Sequence, residues 1–185
     1  MKRYGLCCIS LDLEEKGISF RTITQKQFWK LSSEERNKKL DEILIHNLKV
    51  SYHTMRLCAR RGWVYRMSSS LYPMLTLPNS NRNWKDIPED AKYILRKTAR
   101  FLETSQLRVS LHPDQFVVPA SAKDDVAARS INELDLHSEY MSLLGLPANH
   151  NYPINIHMNC YRGEDVATIA ARFERRFNAM SADTQ

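Results

Sequence analysis

His112 and His157 each close a short run of strand-forming residues. Leu107, Arg108, Val109, Ser110 and Leu111 lead into His112-Pro113-Asp114-Gln115-Phe116, and Ile154, Asn155 and Ile156 lead into His157. One long amphipathic segment separates the two, so each histidine falls at the carboxyl end of a strand in consecutive strand-helix units. That is the end at which α/β proteins place their chemistry. Pro113 has no N–H to continue a ladder and turns the backbone out at the strand tip. Parallel neighbours lie about 4.8 Å apart, so two tip imidazoles there can share one divalent ion or hold adjacent ions. A lone histidine is more often structural; the matched pair shifts the reading to metal ligation.

Other residues near these tips leave their roles open. Gln115 and Phe116 put an amide and an aromatic ring side by side after the third strand. On a basic protein that pairing suits stacking on, or wedging between, nucleobases; Phe116 could equally cover the helix behind it. Arg66 ends the second strand beside Ser68-Ser69-Ser70, where it could hold a phosphate or, the slightly preferred reading, pair with a buried carboxylate. His46, His53 and His137 fall in helical stretches and His150 in a Pro/Asn-rich loop, all with structural or solvated roles expected. Asp114 and Glu164 are the carboxylates near the tips, but no general base and no third metal ligand declares itself, and a hydrolytic metal site needs more than two histidines.

The elements that must position these residues alternate. Strands are expected over 4–9, 63–67, 107–111 and 154–157, with a short extended piece over 20–22. A capping-box sequence at Ser32-Ser33-Glu34-Glu35 and a stripe of Leu40, Ile43, Leu44 and Leu48 predict a helix over 33–47, and a second is read over 52–60, closed by Gly62. A third helix begins with Pro88 in its first turn and carries Ala91, Ile94, Leu95, Thr98 and Leu102 on its apolar face. Helices over 124–144, stopped by Gly145, and 166–177 complete the order. The βα alternation predicts an α/β fold with a parallel sheet, either open and doubly wound or half of an eight-stranded barrel. Four strands cannot close such a barrel alone.

With 185 residues and 43% hydrophobic content, the chain can bury one real core and needs no second domain. No apolar run has the length of a signal peptide or of a membrane span, so a cytoplasmic protein is expected, associated with the nucleoid if bacterial or viral. Cys7, Cys8, Cys58 and Cys160 show no C-x-x-C pairing, which leaves buried, reduced thiols as the expectation. The net charge of +6 favours an anionic partner such as nucleic acid, although charge bears on association and not on any reaction.

Taken together, Arg66-Met67-Ser68-Ser69-Ser70-Leu71-Tyr72-Pro73, Val109-Ser110-Leu111-His112-Pro113-Asp114-Gln115-Phe116 and Ile154-Asn155-Ile156-His157 resemble, in order and spacing, the amino-terminal half of the UV damage endonucleases of the UvdE type. Gly5-Leu6, the Ser130/Leu134/Leu143-Gly145 pattern and Phe173/Phe177-Asn178 are compatible, so the resemblance covers nearly the whole chain. It implies parallel β/α repeats forming about half of a TIM-type (β/α)8 barrel, with strand tips that hold divalent metals, typically Mn2+, in a groove for bent, damaged double-stranded DNA. It also implies nicking of the backbone 5′ of UV photoproducts, with His112 and His157 as metal ligands and Gln115 and Phe116 as the pair that probes the lesion. Three departures stand out. Leu77, before Pro78, holds the place of a metal-binding histidine, and Leu6 and Ser10 stand where a tyrosine and an asparagine are usual. Residues 1–185 also lack the carboxyl-terminal half that supplies further ligands. A fragment or one part of a split protein is therefore expected, weak in activity by itself, with exposed half-barrel edges that invite dimerisation. The alternatives are another strand-tip metal enzyme of TIM-barrel type, such as an apurinic-site endonuclease or a sugar isomerase, or a non-catalytic DNA-binding module.

Overall fold

Helix formation is set most firmly where the chain caps itself. The computed structural model describes residues 4–75, 83–158 and 163–185. Its order is β1 (Gly5–Cys7), α1 (Leu11–Glu14), α2 (Gln25–Phe28), α3 (Ser33–Arg61), β2 (Val64–Ser68), a 3-10 turn (Trp84–Asp86), α4 (Glu89–Ser105), β3 (Val109–His112), α5 (Asp124–Leu143) and α6 (Val166–Phe177). Ser32 accepts a hydrogen bond from Glu35 N–H while the Glu35 carboxylate accepts one from Ser32 N–H, so the capping box read from the sequence is present. The helix then runs unbroken to Arg61, where two helices were expected. Lys49, Val50 and Ser51 contain no breaker, and Thr54 returns its hydroxyl to the Val50 carbonyl at 2.9 Å, which keeps that side chain within the helix's own hydrogen bonding. Gly62 ends it at φ 64°, the left-handed conformation that glycine adopts without a Cβ clash.

The three strands form a parallel sheet in the order β1-β2-β3, with Gly5 beside Val64 and Tyr65 beside Val109. The expected fourth strand over 154–157 is reduced to one parallel bridge, Leu111 to Ile154, made by Leu111 N–H to Pro153 O and Asn155 N–H to Leu111 O. Two prolines explain the reduction. The preceding rung would need an N–H from Pro153 and the following one an N–H from Pro113, and neither residue has one. The extended piece expected over 20–22 is irregular backbone, and α1 and α2, single helical turns, were not anticipated. Pro88 caps α4 from outside and is not in its first turn.

Side-chain alternation divides the sheet. Tyr65, Met67, Val109 and Leu111 are buried against α3 and α4, whereas Gly5, Cys7, Val64, Arg66, Arg108 and Ser110 line a concavity of about 280 Å3 on the other face. The cysteine expectation holds for Cys58 and fails at β1 on that account. Cys58 is buried, but Cys7 is exposed and Cys8 only partly covered, because β1 is an edge strand whose inner face is bare. Cys160 lies outside the described residues.

Asn47 ties the loops to this frame. Fully buried in α3, it accepts from Arg21 N–H at 2.8 Å and donates to the Arg21, Ser70 and Leu71 carbonyls at 2.8, 3.0 and 3.1 Å. One amide thus joins the segment between α1 and α2 to the loop after β2. Removing it deletes four hydrogen bonds made from a fully buried position, so Asn47→Ala should lower stability by about 3 kcal/mol, measured as a reduced urea midpoint with an unchanged slope.

Candidate active site

The carboxyl ends of β2 and β3 and the bridge strand converge on one rim. Ser68 is the register partner of His112, and the centroids of the His112 and His157 rings lie 4.7 Å apart with their planes inclined by 39°. Since Ile154 pairs with Leu111 on the helix side, alternation turns Asn155 and His157 to the inner side with His112. His112 Nδ1 lies 2.8 Å from the Pro113 carbonyl, an acceptor, so the ring proton sits on Nδ1 and the Nε2 lone pair of the neutral ring is left for a ligand. His157 Nε2 is buried and has no hydrogen-bond partner. Two imidazoles in this state fit a borderline divalent metal as neighbouring donors. Among the described residues, however, no group of three or more His, Cys, Asp or Glu side chains could hold an ion, so the pair is an incomplete ligand set.

Electrostatics favour the neutral state of His112. Burial, then the Arg66 guanidinium and the His157 ring, hold its pKa below the ordinary imidazole value, with Asp114 opposing in part. Arg66 lies on the inner face of β2, where its Nε is buried without a partner. The carboxylate expected beside it is absent from its surroundings: no described residue forms an ion pair with Arg66. Next to it, Cys8 takes φ 61°, and its backbone is pinned by Tyr65 Oη–H to Cys8 O at 2.9 Å and Cys8 N–H to Arg66 O at 2.8 Å.

Asp114 and Glu164 are both committed to structure. The Asp114 carboxylate accepts from Phe116 N–H at 2.9 Å, and its carbonyl accepts from Val117 N–H, a tight turn that carries Gln115 and Phe116 outward. Phe116 is 77% exposed, so it does not cover the helix behind it. Glu164 pairs with Arg172 at 2.8 Å. His46 donates to the Ser19 carbonyl, and His150 is exposed. His137, read as structural, sits beside a carboxylate and a cavity. With Glu133 Oε1 3.6 Å from its Nε2, it lines a cavity of about 220 Å3 together with Ser68, Ser69, Ser70, Tyr72 and Asp114. The spacing of Glu133 and His137, four apart on one helix face, was the available signal. Leu77, in the place of an expected histidine, lies outside the described residues.

Residues 2–185 match the profile of the family described as UV-endonuclease UvdE. The chain belongs to that family. It is 34% identical over 154 residues to the UV DNA damage endonuclease of a Nostoc species, covering 83% of this chain and 46% of the relative, and 32% identical over 143 residues to that of Deinococcus radiodurans, covering 77% and 46%. The crystal structure of SacUVDE superposes on the whole chain with a TM-score of 0.79 and 25% identity, over 58% of that protein. The chain spans about half the length of the curated relatives it matches. The UvdE chain described here accordingly carries part of that fold, a partial TIM-type barrel with three strands in the sheet of its described residues. No described helix is long and apolar enough to cross a membrane.

The depressed pKa of His112 has a measurable sign. Unfolded chains take up the proton first as pH falls through the ordinary value, so this residue's contribution to stability is present above about pH 6.5 and is lost below it. In metal-free protein, the His112 imidazole resonance should titrate below that value by NMR, and Arg66→Gln should move its midpoint upward.

Proposed function

We propose that this UvdE chain belongs to a metal-dependent DNA repair endonuclease that nicks the backbone 5′ of UV photoproducts. The observation that carries the reading is the juxtaposition of His112 and His157, with Nε2 of His157 buried and unpartnered. These two imidazoles would hold the metal, for which Mn2+ is the ion we favour. When bound, a divalent ion supplies charge to polarise the scissile phosphate and lowers the pKa of a water. The rest is the work of the chain itself. The Pro113 carbonyl fixes the His112 tautomer, and Arg66 offers a fixed positive charge beside the pair, suited to a non-bridging phosphate oxygen. Gln115 and Phe116, carried on the Asp114 turn, enter the duplex at the damaged step, where distorted DNA costs less to deform further. The bare inner face of the sheet and the β1 edge form a surface on which a complementary half-barrel or a second copy docks.

A second reading is favoured by one observation, the absence of a third donor among the described residues. A non-catalytic module would then bind DNA through its charge, with strong salt dependence and no strand scission.

A plasmid assay separates the two. With Mn2+ present, UV-irradiated supercoiled DNA should be nicked more rapidly than untreated DNA, slowly for the 185-residue chain alone. His112→Ala and His157→Ala should each reduce the rate by about 100-fold or more, while Phe116→Ala should erase the preference for irradiated DNA. Equal nicking by wild type and both histidine variants would remove the metal-site reading, and salt-sensitive binding without nicking would support the module.

A further inference from the structure

Away from the strand tips, α3 and α4 enclose a groove of about 410 Å3 lined by Lys49, Tyr52, His53, Arg56, Asp90, Tyr93, Ile94 and Lys97. Two of its cations are held in place. Lys97 Nζ lies 4.9 Å and Arg56 Cζ 5.8 Å from the centroid of the Tyr52 ring, and that ring is itself set by an edge contact with Phe101 at 5.7 Å. Aromatic faces order ammonium and guanidinium groups without neutralising them. Among the described residues none of Lys49, Arg56 and Lys97 forms an ion pair, whereas Lys39, Lys92 and Arg129 on the helix surfaces each pair with a carboxylate one turn away. Asp90 is the single acid in the lining. His53 reports the resulting field: burial, then Arg56, Lys97 and Arg60, hold its pKa below the ordinary value, so it stays neutral and adds no repulsion of its own near neutral pH.

We propose that the groove between α3 and α4 is a binding site for phosphoryl groups, with Lys49, Arg56 and Lys97 as its cations and the exposed Tyr93 at its rim. Arginine and lysine together suit tetrahedral oxyanions, the guanidinium as a planar fork and the ammonium as a point charge. An open groove of this size takes a pyrophosphate or consecutive phosphates of a nucleic-acid backbone. A free phosphate compound and a DNA strand offer the same chemistry, and two probes distinguish them.

The full 185-residue chain would be titrated, without metal, with inorganic pyrophosphate by calorimetry and with an undamaged 20-base-pair duplex by fluorescence anisotropy at several salt concentrations. Arg56→Gln/Lys97→Gln should weaken binding by about tenfold or more and, if DNA is the occupant, reduce the salt slope by about two. Arg56→Lys/Lys97→Arg, which keeps the charge, should retain most of the affinity. Lys39→Gln/Arg129→Gln, at cations already paired to carboxylates, removes the same net charge elsewhere and should leave binding near wild type. Loss confined to pyrophosphate identifies a free phosphate compound, and loss confined to the duplex identifies the backbone. The proposal is overturned if wild type binds neither probe, if the glutamine pair binds both normally, or if the control pair weakens binding as much. The use of undamaged DNA without metal keeps this result independent of the lesion-nicking reading.

Discussion

Two missing N–H groups govern the part of the molecule where chemistry can occur. Pro153 and Pro113 bound the one rung that joins the last extended segment to β3, so the segment is held at Ile154 and released on either side of it. A longer ladder would have continued past the tips and kept both backbones engaged with each other. Here the Pro113 carbonyl, spared from pairing, turns to the His112 ring, and the released chain carries His157 alongside. Strand spacing then does the rest: the centroid separation of 4.7 Å is about that of adjacent strands.

The sheet supports this arrangement by keeping its two faces chemically separate. Tyr65, Met67, Val109 and Leu111 sink into the helix layer, each burial contributing on the order of 1.5–3 kcal/mol for side chains of this size. The inner face instead carries Arg66, Arg108, Ser110 and the histidines, groups that a hydrophobic core would not tolerate without partners. Asn47 couples the division to the loops, since the segment between α1 and α2 and the serine run after β2 hang on the same buried amide.

Most of this was legible in the residues, and the gaps have physical causes. The capping box at Ser32 and Glu35, the glycine stop at Gly62 and the apolar stripe of α4 depend on local chemistry, which a sequence displays directly. The break expected within α3 is absent, because residues 48–51 contain no breaker and Thr54 bonds to the Val50 carbonyl inside the helix. The fourth strand was read from β-propensity, which does not count donors; its flanking prolines did. Arg66 was expected to meet a carboxylate because buried arginines usually do, and only the open inner face explains why it does not. Asn47 gave no signal at all, since an asparagine inside a helix differs from a solvated one only in what surrounds it.

The Asp114 turn has an evolutionary corollary. Its bonds run from one carboxylate and one carbonyl to the backbone N–H groups of Phe116 and Val117, and neither involves the exposed ring at 116. That ring is therefore interchangeable lettering on a fixed mount. Descendants of this chain can exchange it while the paired imidazoles behind keep their spacing.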